Sequence, residues 1–570
     1  MCGELYLIKI DEIKTYCGKH SLDDLSNSFW HKLNDVIIKE RFFIILMIVF
    51  NFVPYMYLFC LYSQFLNGIG GLFKPFADIV LLSLLVNILP RRFYFRQIVK
   101  TVILSLSCIF SLVELFIIGK YYTFTTAGIV SVIIGTNPHE AIEFICMYFS
   151  WQYLILLIFL AICIYLLKIF QNRIKLPDFV KLIVPFFFLY SFFYTIVPNK
   201  NITECMTFTR LVAPVSQAIE DLIAFKDIYD NMNDDVAITE NKSDIPNVVF
   251  ILGESTTRKH MSLYGYHLKT TPKLDEMKKK GEIYVFDDVI SSHAYTIGSL
   301  REVFTFHNYE SNAKWYETSN LFDILNRAGY KTHWLSNQET SGEWANVALA
   351  YANRCSYKEF TAVRQSYEQS YRADGEILPL LYKAMANDNS KNFYLLHLMG
   401  THGEYKNRYT ADFEVFKASD EHKNSAQENM LTAQYDNAIL YNDTIIVQII
   451  EAFKDKNAIV IYMPDHGEEI YDVKNIKGHS DDNATSSMLE IPFIIYTSQQ
   501  FKEKYPQLDN RIKNAVHRPF MTDDIIHLML DILNIKTVEY QETRSLISPY
   551  YNQDRKRMFL GKDYDEEMKQ

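Results

Sequence analysis

The sequence predicts a two-part chain. A helical membrane domain of five spans is followed by a large α/β domain built on a mostly parallel sheet. Three observations carry this reading. Residues before about 200 are dominated by Phe, Ile, Leu and Tyr in long uncharged runs. Residues after about 240 are polar and mixed. In that second part short apolar β-type runs alternate with helical patterns, the signature of a parallel sheet covered by helices.

The first 41 residues are polar and mixed, with no early apolar core, and read as a cytoplasmic extension rather than a cleavable leader. Cys2 stands where N-myristoylation would require glycine. The transmembrane domain is placed at 42–198, judged against roughly 20 apolar residues per spanning helix. Its spans are Phe42–Phe65, Leu72–Leu89, Val102–Ile118, Trp151–Leu167 and Phe179–Val197. Lys74, Asp78 and Asn87 interrupt the second of these. Its support comes from charge. The basic segments Arg91–Lys100 and Lys168–Lys175, with Lys32, Lys39 and Arg41, fall on one side only if all five spans are real. By the positive-inside rule that side is the cytoplasm, so everything after Val197 faces outward.

A linker, 199–243, contains the amphipathic stretch Pro214–Tyr229 and ends in the polar run NMNDDVAITENKSD. The remainder, 244–570, is expected to form one domain. Its β-type runs are Val248–Leu252, Tyr330–Leu335, Phe393–Leu398, Ala458–Met463 and Ile491–Tyr496. The helical intervals are Leu321–Ala328, Gly375–Ala386, Thr432–Phe453 and Asp523–Leu533. Acidic residues (67) outnumber Lys and Arg (57), and no aromatic-basic patch stands out, which argues against nucleic acid as a partner. Eight scattered cysteines without a CxxC pair do not indicate a disulfide framework, although Cys205 and Cys355 fall in the polar part.

Ligands in such folds bind where strands end. Val248–Leu252 runs through Gly253 into Glu254; Phe393–Leu398 is followed by Met-Gly-Thr-His, placing His402; Ala458–Met463 by Pro-Asp-His-Gly-Glu-Glu, placing Asp465 and His466. His479 follows on a loop that can fold back. Carboxylates and imidazoles converging on one sheet edge are a ligand set for zinc, or less readily manganese. A metal site for phosphate chemistry needs a hydroxyl or water nucleophile. In SSHAYTIGSLREVFTF, Ile297–Phe306 has helical character, so Thr296 would sit at a helix N-terminus, where free N–H groups favour an alkoxide and a bound phosphate. Ser291, Ser292 and Ser299 compete on chemistry alone, and a capping role for Thr296 is the plainer alternative.

The stretches FILGESTTRKHMSLYGY, HAYTIGSLREVFTF, LHLMGTHGEYKNRY, QYDNAILYND and MPDHGEE together resemble the bacterial phosphoethanolamine transferases of the alkaline phosphatase/sulfatase superfamily. The wording is most similar to the branch that modifies the lipopolysaccharide core heptose. The resemblance implies a periplasmic sulfatase-like α/β/α domain on an inner-membrane anchor. It implies Thr296 as the nucleophile that becomes phosphoethanolamine-modified, with Glu254, Thr296, Asp465 and His466 on the principal zinc. His402 and His479 would hold a second zinc or the substrate phosphate. Glu468 is implied as a supporting or amine-contacting acid, Asn337 as a substrate-side residue, and Thr136 and Glu140 as contacts to the lipid donor. The donor would be phosphatidylethanolamine and the acceptor lipopolysaccharide or lipooligosaccharide, with lipid A as the other acceptor. Two departures set it apart from the lipid A branch: Ser292 and Glu302 flank the nucleophile where that branch has cysteines, and Gly342 stands where it has a lysine. A phosphoglycerol transferase similar to lipoteichoic-acid synthases, or a non-catalytic membrane sensor, are the alternatives.

Overall fold

The computed structural model describes residues 236–569 except 339–346, 362–372 and 387–390, together with 40–54, 95–121, 214–220 and a few shorter stretches. The chain divides into two compact units, 1–126 with 149–216, and 127–148 with 217–570.

In the first unit, helix α1 (Phe95–Tyr121) contains the predicted span Val102–Ile118. Among the described residues it is the one helix long and apolar enough to cross a membrane. Residues 40–54, the first part of the span predicted at Phe42–Phe65, are also helical. The two segments are joined by an ion pair between Lys100 and Glu40 and by a Ser107 hydroxyl lying 3.4 Å from the Met47 sulfur. Most of the second predicted span and all of Trp151–Leu167 and Phe179–Val197 lie outside the described residues.

The second unit is built on a seven-stranded sheet. Its strands are β1 (Asn247–Gly253), β2 (Ile283–Phe286), β3 (Lys331–Ser336), β4 (Tyr357–Phe360), β5 (Asn392–His397), β6 (Ala458–Pro464) and β7 (Phe493–Thr497). The spatial order is β2-β7-β6-β1-β5-β3-β4. All neighbours are parallel except that β7 runs antiparallel to both β2 and β6. The expectation of a largely parallel sheet holds, with one reversed strand and two short ones, β2 and β4, that the predicted runs did not include.

Every residue of β5 and β6 is buried, and β1 is buried from Val248 onward. Continuous apolar runs of this kind suit strands covered on both faces. Because side chains alternate along a strand, Val248, Phe250 and Leu252 enter one core and Val249 and Ile251 the other. The first core is closed by helices α2 (Thr296–Val303), α3 (Leu321–Arg327) and α6 (Ile525–Leu533), through Leu300, Phe322 and Met529 among others. The second is closed by α4 (Ile377–Met385) and the 27-residue α5 (Ala426–Ala452), through Leu381, Ile439 and Ile446. Ser425 starts α5 by accepting from the Glu428 N–H, a side-chain N-cap. The result is an α/β/α sandwich whose three central strands, β6, β1 and β5, end side by side.

Candidate metal and nucleophile site

Neighbouring strands lie about 4.8 Å apart, so residues just past the ends of paired parallel strands are held within reach of one another. Leu252 pairs with both His397 and Met463 in register, and Gly253 pairs with Pro464. The three loops that follow are tied together by main-chain bonds. Asp465 N–H donates to Gly253 O at 3.2 Å, Thr256 N–H to His466 O at 2.9 Å and Thr401 N–H to Glu254 O at 3.1 Å.

The turn after Glu254 is made by Ser255, whose φ of 54° is left-handed. A non-glycine residue there costs energy and persists only where its surroundings enforce it. Here its N–H donates to Asp465 Oδ1 at 3.2 Å and its hydroxyl to Glu254 Oε1 at 3.0 Å. Thr256 and Arg258 complete the scaffold: the Thr256 hydroxyl donates to Glu254 O, and Arg258 is paired with Glu490 at 3.0 Å. Gly400 also turns left-handed, with φ of 56°, and a side chain there would meet the Glu254 backbone at 2.5 Å.

Glu254, Asp465 and His466 are buried and bring one ligand atom each within 4.8 Å of one another. Thr296 is the first residue of α2, and its Oγ1 lies 3.1 Å from Glu254 Oε1 and 3.4 Å from His466 Nε2. His466 Nε2 in turn lies 3.4 Å from Glu254 Oε1 and 3.3 Å from Asp465 Oδ2. A tetrahedral zinc with bonds of about 2.0–2.1 Å needs ligand atoms about 3.3 Å apart. The four measured edges match that spacing. Asp465 Oδ2 is a buried oxygen with no hydrogen-bond partner, and His466 Nδ1 is turned to Gly467 O at 2.8 Å, which aims Nε2 at the same point. The residues fit zinc.

Electrostatics agree. Burial opposes the charge of Glu254, but the hydrogen bond and charge of His466, with His402 and His479, hold it well below the usual carboxylate range. Burial and the adjacent Glu254 push Asp465 upward. Burial works against a charged His466, yet Asp465 and Glu254 raise it. Without a cation the trio therefore retains protons that a divalent ion would displace.

Beside this group the His479 ring centre lies 4.2 Å from that of His466 and 6.0 Å from that of His402. His402 Nδ1 is buried without a partner, and burial takes the ring down to about 4, leaving it neutral and able to bind a metal. Glu468 is buried and points its carboxylate at His479 Nδ1 (2.5 Å) while accepting from the Tyr405 hydroxyl (2.6 Å), so it orients the histidine. Asn337 is different. Its amide donates to Asp374 Oδ1 at 2.8 Å and accepts from the Thr361 hydroxyl at 2.7 Å. The neighbouring Gln338 instead reaches Glu254 Oε2 at 3.5 Å and Leu398 O at 3.0 Å. Asp374, also absent from the predicted site, accepts from the N–H groups of Met399 (2.8 Å) and Gly400 (2.9 Å) and so holds the loop that carries His402. Thr136, Glu140 and Cys205 lie outside the described residues.

Residues 246–535 match the sulfatase family model. The phosphoethanolamine transferase EptC of Escherichia coli strain K12 is 27% identical over 534 residues, covering 88% of this chain and 91% of that protein. The zinc complex of the periplasmic domain of EptC from Escherichia coli is 30% identical with a TM-score of 0.54, covering 58% of this chain and 96% of that one. The integral membrane lipooligosaccharide phosphoethanolamine transferase A of Neisseria meningitidis shares the fold over 89% of this chain and 98% of its own, at a TM-score of 0.65 and 19% identity. On the matched sheet, the four-atom hole at its edge and these likenesses, the chain belongs to the sulfatase family, among the phosphoethanolamine transferases.

Proposed function

We propose that this protein moves phosphoethanolamine from phosphatidylethanolamine to a lipopolysaccharide acceptor, with a core heptose hydroxyl favoured over lipid A, through a covalent intermediate on Thr296. The observation that carries it is the Thr296 hydroxyl at the N-terminus of α2, with Glu254 and His466 at 3.1 and 3.4 Å. A structural threonine has no need of that company.

Zinc, bound by Glu254, Thr296, Asp465 and His466, would draw charge from the phosphoryl oxygens and favour the ionised hydroxyl. Everything else is done by the chain. Glu254, kept ionised, accepts the Thr296 hydroxyl hydrogen. Thr296 Oγ1 forms a bond to phosphorus as the bond to the glycerol oxygen breaks, and diacylglycerol leaves with a proton. The acceptor hydroxyl then attacks the same phosphorus as the bond to Thr296 Oγ1 breaks, and its proton passes to Thr296, restoring the hydroxyl. Splitting one displacement into two is what a covalent nucleophile provides. His479, oriented by Glu468, and His402 beside it would take the substrate phosphate or a second zinc. The donor is a lipid, which accounts for a membrane domain of five spans at 42–198, a linker at 199–243 and a periplasmic catalytic domain at 244–570. We assign the protein to the bacterial inner membrane, with Thr136 and Glu140 on its outward side toward the donor.

Intact-protein mass measurement after incubation with phosphatidylethanolamine tests the chemistry. A phosphoethanolamine adduct that vanishes in Thr296→Ala, with zinc content retained, is expected. A phosphoglycerol adduct would select the other lipid donor, and release of diacylglycerol by Thr296→Ala at the normal rate would remove the nucleophile. Mass spectra of lipopolysaccharide from cells with and without the protein identify the acceptor.

A further inference from the structure

Thr296 is placed by a loop, 291–295, that carries no metal ligand of its own. That loop is held by a residue from a distant part of the chain. Asp481 Oδ1 accepts from the Ala294 N–H at 2.6 Å, and Asp481 Oδ2 meets His293 Nδ1 at 2.7 Å. The other ring nitrogen of His293 faces Glu302 Oε1 at 3.6 Å, and the same oxygen lies 3.3 Å from His307 Nδ1. Glu302 belongs to α2 itself. One imidazole thus spans from Asp481 to the helix that Thr296 begins.

The ring also fills the first turn of that helix. A side chain at Gly298 would lie 2.6 Å from His293 Cγ and 2.7 Å from the Tyr295 ring. Glycine is needed there because His293 and Tyr295 occupy the space. Further bonds fix the rest of the loop: the Ser299 hydroxyl donates to His293 O at 3.2 Å, Ser292 N–H to Thr522 Oγ1 at 3.0 Å and Ser291 N–H to Leu489 O at 2.8 Å. Asp481 stands two residues after His479, at the start of the short helix Asp481–Asn483. The side chain that fixes the nucleophile loop therefore belongs to the loop that presents His479.

We infer that Asp481, acting through His293 and the Ala294 N–H, is a positioning residue that sets Thr296 against its ligands and keeps it in step with His479. The inference rests on the reading of Thr296 as nucleophile. A hydroxyl displaced by about 1 Å loses on the order of 100-fold in rate, so the effect falls on turnover and not on donor binding.

The test uses the full-length protein in phosphatidylethanolamine vesicles, following the adduct on Thr296 over time alongside zinc content and thermal stability. Asp481→Ala is expected to slow adduct formation about 10- to 100-fold at saturating donor, with the apparent KM and zinc content unchanged. Asp481→Asn should recover to within about threefold, because its amide oxygen still accepts from Ala294 and its amide N–H meets His293 Nδ1. Gly298→Ala, which displaces the His293 ring without touching Asp481, should also slow the step, and it decides the matter if Asp481→Ala does not fold. Asp481→Ala or Gly298→Ala labelling at the wild-type rate overturns the inference, as does an Asn variant as slow as Ala. A wild-type protein that acquires no adduct on Thr296 overturns the nucleophile reading, and this inference with it.

Discussion

Asp374 makes the most demanding test of how the site is held. It is buried, lies far from Glu254 in sequence, and its carboxylate accepts three hydrogen bonds of 2.8–2.9 Å, from Met399 N, Gly400 N and Asn337 Nδ2. Asp374→Ala strands all three donors in the interior. Each unmet buried donor costs roughly 1–3 kcal/mol, and water entering the space left by the carboxylate restores part, so the net loss is about 3–5 kcal/mol. At about 2 °C per kcal/mol for a domain of this size, the melting temperature should fall by about 6–10 °C. The loss has a direction as well as a size. The released loop carries His402, while Glu254, Asp465 and His466 remain tied through β1 and β6. Zinc retained at the principal site, with turnover reduced beyond what the unfolded fraction explains, is the expected pair of results. Asp374→Asn keeps an acceptor oxygen and should lose about half as much. Differential scanning calorimetry and the adduct assay together decide it. An Asp374→Ala protein that melts within about 1 °C of wild type and turns over normally would refute the reasoning.

Gly400→Ala forces a left-handed alanine against the Glu254 backbone at 2.5 Å, so it should lower transfer activity more than stability. Equal activity in the variant would show that the two loops are free to separate. Removing zinc by chelation should lower the melting temperature, since a ligand held 100-fold above its Kd stabilises by about 2.7 kcal/mol. A transition that ignores both chelator and added zinc would sink the metal assignment. Away from the site, His260 is buried between Asp436 (2.6 Å) and Asp472 (3.2 Å); burial disfavours its charge, yet these acids raise it to about 10. A folded-state value above the ordinary one contributes stability that is complete below about pH 6.5 and fades as pH rises toward 10. The stability deficit of His260→Gln against wild type should therefore be larger at about pH 6 than at about pH 10, and an equal deficit would contradict the ion-pair account.

Much of this was legible in the sequence because strand ends are local events. Glu254, His402 and Asp465 each follow an apolar run, and the structure sets β6, β1 and β5 side by side with their ends together. The helical pattern placed Thr296 at a helix start, and it does begin α2, whereas its choice over Ser291, Ser292 and Ser299 came from the family resemblance alone. The edge strands were not legible: IYVF in β2 and YKEF in β4 are too short to differ from a loop. The inner strand β7 was expected, but nothing in FIIYT says that it runs backwards. Gln338, Asp374 and Asp481 escaped for another reason. Their roles exist only through partners 84, 25 and 187 residues away, and no local pattern encodes such a pairing. Asn337 illustrates the converse, a polar residue at a promising strand end whose amide is engaged by Asp374 and Thr361.

The parallel β6-β1-β5 arrangement has a consequence for how the protein acquires its metal. Parallel neighbours cannot be joined by a tight turn, and here Glu254 and Asp465 come from strands whose pairing closes a loop of more than 200 residues. No shorter fragment can hold the ligand set. In small zinc modules the ion gathers an unfolded chain around itself; here the pairing of β1 with β6 has to form before Glu254 and Asp465 meet. Metal loading would thus follow this long-range pairing, and a chain in which β1 and β6 have not yet met keeps Glu254 and Asp465 apart.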